Sequence, residues 1–241
     1  MTATPKNSFK KKAITLARET IMIVVGILLA LEVSNLAENL KERKEEHQLL
    51  ISFEKNLELD LIQLDSIENS SNRNLANVDT IIDILIEPAP ERLARFIELQ
   101  PGLLVKHYFV VNDGSFREAS STGKVELIEN RELRKLIFRY YKLAAVTTID
   151  EEIYETNTVT NLPKWIKLVG TSRDLIQDHM GRNVPGMPPL DLKELATNQD
   201  YMAILFSVKA GTGTQIKTWQ ERKERALELL SRVKKEIERW K

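Results

Sequence analysis

The three histidines are the first residues to consider for chemistry, because neutral imidazole is a common metal ligand and proton acceptor. His47, His107 and His179 are far apart in the chain, and none has a second ligand at the spacing of a metal site. The chain contains no cysteine, which excludes disulfides and thiolate metal sites. We therefore expect neither a metal ion nor a cofactor.

Two glycine-containing segments lack the features of a phosphate-binding loop. Gly123-Lys124 would need glycine where Glu118 stands and a hydroxyl residue where Val125 stands. Residues 211–214 (Gly-Thr-Gly-Thr) follow no predicted strand and so lack a dinucleotide-binding context. We expect a helix bend or close helix packing there. Without a nucleophile and base pattern, we predict that the protein is not an enzyme.

Tyr140, Tyr141 and Arg134 form the candidate ligand pocket. The two tyrosines fall on the inward stripe of a predicted helix, where aromatic side chains ordinarily pack in a core. Arg134 lies on the same helix and is either solvated or turned toward a pocket. Helical bundles place small-molecule sites between helices. The residues alone leave both interpretations open.

The elements that must position these residues are long helices. Charged residues make up 29% of the 241-residue chain, while glycine and proline are few, at 9 and 8. This composition favours helices with solvated faces over a turn-rich β-fold. Lysine plus arginine and aspartate plus glutamate balance at 35 each, so no basic excess indicates nucleic-acid binding.

Apolar residues recur at three- and four-residue steps over most of the chain. Residues 38–68 contain no glycine or proline and predict one helix, which loosens near residues 69–72 and ends before Pro88. A second long helix is predicted from the cap Asn130 to about residue 161, and a last one from near Asn198 to the end. These patterns predict an all-α, antiparallel bundle of long helices.

Shorter elements connect the long ones. Residues 91–99 predict a helix stopped by Pro101, and residues 107–111 predict a short extended segment. Asp113 or Ser115 caps a predicted helical turn that Gly123 closes, and residues 181–190 are a loop rich in glycine and proline.

The run Ile21–Leu31 has no polar side chain and is apolar on every helical face. A surface helix would show a polar stripe over that length. Eleven residues span only ~17 Å of the ~30 Å hydrocarbon core, so the flanks must contribute. We predict a transmembrane helix over residues 13–37. The anchor residues are Ile21, Val24, Val25, Gly26, Leu28, Leu29 and Leu31.

A buried core helix and a cleaved signal peptide are the alternatives. No small-residue cleavage site follows Leu31, which favours an uncleaved anchor. Residues 1–18 contain five basic and no acidic residues, and the positive-inside rule then places the N-terminus in the cytoplasm. The predicted organisation is a basic tail (1–12), a transmembrane helix (13–37) and an extramembrane bundle (38–241).

Two blocks of sequence resemble an uncharacterised bacterial family of N-terminally anchored, single-span helical proteins. The first is Arg18-Glu19-Thr20-Ile21 with the apolar run and residues 30–35; the second runs from Ser115 to Tyr141. The sequence departs from the family at Glu32, Ser34 and Leu36, where glutamine, asparagine and tryptophan are common. The resemblance implies a bacterial inner-membrane protein and no known activity. With the N-terminus cytoplasmic, the bundle lies in the periplasm.

Two functional hypotheses follow. The first is a membrane-anchored helical scaffold or interaction module, whose partners are the lipid bilayer and either further copies of itself or another membrane protein. The alternative is a ligand-sensing extracytoplasmic bundle that acts through a partner. The short N-terminal tail leaves no room for a cytoplasmic output domain of its own.

Overall fold

The computed structural model describes residues 6–239, without the side chains of residues 6–17, 20, 149 and 150. The side chains of the predicted basic tail therefore lie outside the described residues. Within residues 6–239 the fold is all-α and contains no strand, as predicted. The helices are α1 (Lys6–Ile86), α2 (Leu93–Leu103), α3 (Gly114–Ser121), α4 (Arg131–Ala144), α5 (Ile149–Trp165), α6 (Arg173–Met180), α7 (Leu192–Thr197) and α8 (Gln199–Glu238).

The first half of helix α1 contains a long exposed stretch. Every side chain of residues 21–44 is exposed, including the apolar run Ile21–Leu31. This stretch holds an 18-residue window of mean hydropathy 2.0, of which nothing is buried in the described structure. By length and composition it is the one helix among the described residues that could cross a membrane.

The rest of α1 packs into the bundle with a regular repeat. From Glu46 to Leu85 a side chain is buried at alternating steps of four and three residues, the heptad spacing of helices that pack side by side. The positions are 46, 50, 53, 57, 60, 64, 67, 71, 74, 78, 81 and 85.

Helix α8 is the main partner of α1 and runs antiparallel to it. Lys234 bonds Glu58 at 2.8 Å, and Lys209 bonds Asp79 further along the pair. Residues with higher numbers on α1 therefore contact residues with lower numbers on α8, which makes the two helices antiparallel.

The bundle has two apolar cores, and a small third cluster, which we call the waist, lies between them along α1. The core nearer the apolar run includes Phe53, Leu57, Ile137, Tyr141 and Val233. The far core includes Ile81, Phe96, Leu103, Tyr201 and Ile204. The waist is the small cluster Leu64, Ile67, Ile216 and Trp219.

Local signals account for most helix ends, with three corrections. Asn130 and Asn198 cap α4 and α8 as predicted, and Gly123 has a left-handed φ of 74°. The helix predicted from residue 131 to about 161 is wrong, because it is broken after Ala144. Thr148 and Glu151 form a capping box that starts α5 anew.

The other two corrections are smaller. Residues 69–72 do not loosen α1, which continues to Ile86. Pro101 lies inside α2, which ends at Leu103.

Candidate functional site

The predicted pocket residues Tyr140 and Tyr141 lie on the inward face of α4 and are buried in the core. The Tyr141 ring stacks on Phe116, with centroids 4.6 Å apart, and packs edge-on against Tyr140 at 5.1 Å. Tyr140 also lines a groove of about 280 Å³ between α4 and α8, together with Arg139, Arg225 and Glu228.

Arg134 is engaged elsewhere. Its guanidinium bonds the carboxylate of Glu126 at 2.7 Å and the backbone oxygen of the same residue at 3.1 Å. These contacts tie the start of α4 to the preceding 3-10 turn. Whether these three residues bind a ligand stays a prediction.

Asp60 is a buried acidic residue that the sequence analysis did not identify as a candidate. It stands on α1 at a heptad core position and is 0% exposed. It accepts hydrogen bonds from the Asn112 backbone at 2.8 Å, the Asn112 amide at 2.7 Å and the Tyr140 hydroxyl at 2.7 Å. Burial raises the pKa of Asp60, and these hydrogen bonds oppose the rise.

Beside the waist lies a cavity of about 150 Å³, which we call the waist pocket. It forms where α4 ends, α5 begins and the segment between α2 and α3 crosses α8. Its wall is contributed by Lys106, His107, Tyr108, Phe109, Ala144, Ala145, Val146, Thr147, Glu151, Tyr154, Glu155, Gln215 and Arg222. Cavities of this volume hold a benzene-sized molecule.

A nearly buried ion pair supports one wall of the waist pocket. Arg222 bonds Glu151 at 2.9 Å, with side-chain exposures of 7% and 18%. Arg222 also donates to the Val146 backbone oxygen at 3.1 Å and lies 5.5 Å from the centroid of the Phe109 ring. Because the Glu151 carboxylate also caps α5 at Thr148, one acidic group fixes both the helix start and the arginine.

Tyr154, like Glu151 a residue of α5, lines the waist pocket and packs closely against α8. A Cβ at Gly211 would overlap the Tyr154 ring, so the glycine allows α5 to approach α8. The predicted close packing at residues 211–214 is thus confirmed at Gly211. The hydroxyls of Tyr154 and Thr212 are 3.4 Å apart, and the Lys106 ammonium lies 5.9 Å above the tyrosine ring.

The chemistry that the waist pocket offers is binding by mixed polar and aromatic contacts. Its formal charges balance, since Lys106 and Arg222 are matched by Glu151 and Glu155. Burial lowers the pKa of His107, with a further contribution from Arg73, which favours the neutral imidazole. Among the described residues no group of three His, Asp or Glu side chains could hold a metal ion.

Residues 19–178 match the model of a family of unknown function, DUF6090. The chain belongs to this family. The DUF6090 match covers the apolar run, both blocks of the resemblance from Glu19 onward, and the elements that contribute Asp60 and most of the waist pocket. It ends within α6, before the α8 wall. No curated protein and no solved structure matches the chain.

Membership in DUF6090 confirms the resemblance to an uncharacterised family. Membership in the family assigns no activity to the chain, because the function of the family is unknown.

Proposed function

We propose that the protein is a single-span, membrane-anchored interaction module with no enzymatic activity. The observation behind this proposal is the continuity of α1, which runs without a break from the exposed apolar run to the far core. A bilayer around residues 13–37 would cover the apolar side chains that the bundle leaves bare. The anchor and the bundle would then share one helix.

Because the anchor and the bundle share one helix, the bundle would stand at a defined distance from the membrane. The helix from Ala37 to Glu46, the first heptad position of the bundle, is ~13 Å long at 1.5 Å per residue. The packed part from Glu46 to Leu85 adds ~60 Å. An elongated bundle on a short stalk suits a scaffold that holds a partner near the membrane.

The proposed orientation rests on the charges of the sequence. Five basic residues and one acidic residue, Glu19, precede the apolar run, whereas basic and acidic residues are mixed after it. The positive-inside rule then leaves the N-terminus in the cytoplasm of a bacterial cell. The bundle would stand on the periplasmic side of the inner membrane.

The anchor is tested by matched charge substitutions in the full-length chain. Val24→Arg with Leu28→Arg puts two charges in the apolar run, and each costs roughly 2.5–3.5 kcal/mol at the centre of a span. Glu38→Arg with Glu42→Arg puts arginines at the same helical positions two heptads later, in an exposed part of α1. We expect the first pair to leave the membrane pellet and the second pair to stay. Equal partitioning of both would overturn the proposal.

The second candidate function is ligand sensing, and the waist pocket favours it. A bundle that acts through a partner needs a site where a small molecule can bind, and this cavity has polar and aromatic walls. A thermal-shift screen of small metabolites on the detergent-solubilised chain tests it, because a ligand that binds the folded state stabilises it. The matched control is Ala145→Trp, which fills the pocket and should abolish any shift. The absence of any stabilising compound would count against this function.

A further inference from the structure

N-terminal to the part of α1 that packs into the bundle, one face of the helix carries a regular apolar stripe. Met22, Gly26, Leu29, Val33, Leu36 and Leu40 follow one another at steps of four, three, four, three and four residues. We propose that this face, the juxtamembrane stripe, packs against the same face of a second copy of the chain in a parallel two-stranded coiled coil. The inference rests on the proposed membrane anchor and names the partner that the anchored module holds.

The stripe extends past the apolar run into a polar part of the helix. Val33, Leu36 and Leu40 are 67%, 61% and 61% exposed, so the chain's own bundle does not cover them. Between residues 32 and 42 the other positions are polar or charged, with Ala37 as the one exception. Lipid surrounds a helix on all sides and requires no stripe, whereas a helix partner on one side requires one.

No contact among the residues that the structure describes requires a glycine at position 26. A Cβ at this position would meet nothing within 4 Å, and its φ is not positive. Glycine weakens a helix interior by roughly 1 kcal/mol relative to alanine. Small residues on one face let two membrane helices approach closely, which gives Gly26 a function at a helix interface.

The spacing and the charges fit two parallel strands. With Val33 at position a and Leu36 at position d, the heptad that contains them has the β-branched a and leucine d that favour a dimer. Gly26 and Leu40 occupy the neighbouring a positions. Glu38, Lys41 and Glu42 then fall on outer positions, and Lys41 pairs within its own helix with Glu45 at 4.0 Å. Two copies anchored in one membrane with the same orientation are necessarily parallel.

The chain has no cysteine, so single cysteines report on this interface without a background. Leu40→Cys lies on the stripe beyond the proposed transmembrane segment; Glu38→Cys and Glu42→Cys are matched controls on the outer face. All three positions lie outside the bundle contacts, which leaves its folding unaffected. In isolated membranes under mild oxidation we expect severalfold more disulfide-linked dimer from Leu40→Cys than from either control.

Recovery of every variant in the membrane pellet separates this inference from the proposed anchor. Variants that pellet but stay monomeric, or that crosslink equally at all three positions, would overturn the coiled coil and leave the anchor standing. A crosslinked product whose mass is not twice that of the chain would show another partner on the stripe and would also overturn it. Variants found in the supernatant would overturn both proposals.

Discussion

The hydroxyl of Tyr140 donates a 2.7 Å hydrogen bond to the carboxylate of Asp60, and both residues are buried. The bond joins α4 to α1 across 80 positions of sequence. Asn112 adds two hydrogen bonds to the same carboxylate from the segment before α3. Three separate segments of the bundle therefore meet at one acidic group.

Removal of the Tyr140 hydroxyl should destabilise the fold. Tyr140→Phe leaves the buried Asp60 oxygen without one of its donors, and we expect a loss of about 1–3 kcal/mol in the free energy of unfolding. Tyr108→Phe is the control, because that side chain is 61% exposed. Urea unfolding of the solubilised chain measures both. Equal stability of the two variants would contradict the role of the Tyr140–Asp60 bond.

Asp60 should make stability depend on pH. Burial raises the pKa of its carboxyl in the folded chain, so the folded state holds the proton more tightly than the unfolded state. The resulting contribution is fully present below the ordinary aspartate pKa and is lost as pH rises through the raised value. Above about pH 4 the stability of the wild type relative to Asp60→Asn should fall as pH rises. A constant difference would refute this.

Gly211 and Gly213 should respond in opposite ways to alanine. Gly211→Ala forces a Cβ into the Tyr154 ring and should cost about 1–3 kcal/mol, as overpacking does. Gly213 has open space around it, so Gly213→Ala should stabilise α8 by up to about 1 kcal/mol. Thermal unfolding of both variants tests the pair, and the idea fails if their melting temperatures shift in the same direction.

Replacement of one partner of the Arg222–Glu151 ion pair should lower the free energy of unfolding substantially. Arg222→Met leaves the carboxylate of Glu151 without its partner beside the waist pocket, at a cost of roughly 3–5 kcal/mol. Arg225→Met removes an exposed pair with Glu221 and should cost no more than about 1 kcal/mol. Denaturant midpoints compare the two. Similar losses would mean that the buried pair has no special role.

Local signals in the sequence predicted much of the architecture. Asn130 and Asn198 predict the starts of α4 and α8, because the side-chain oxygen of an asparagine accepts a hydrogen bond from a backbone N–H of the first turn. The Thr148 and Glu151 spacing of a capping box is also present, but the apolar pattern that runs past it predicted a continuous helix. The break could have been found from those two residues.

The waist pocket could not be predicted from local sequence signals. The waist pocket combines a segment near Phe109, the start of α5 and the middle of α8, and no spacing in the sequence links Arg222 to Glu151. Asp60 escapes sequence reasoning because apolar residues at helical spacing, Leu57, Leu61 and Leu64, pass beside it. Leu61 is only partly buried, whereas the heptad repeat of buried positions passes through Asp60.

The most direct measurement for the anchored account is the reactivity of a single cysteine in the apolar run. Maleimides react with the thiolate, which does not form in hydrocarbon. In membranes, Val24→Cys should resist a membrane-permeant maleimide until detergent denaturation, while Ser231→Cys, on the exposed face of α8, should react at once. Equal labelling of the two cysteines before denaturation would contradict a bilayer around this segment.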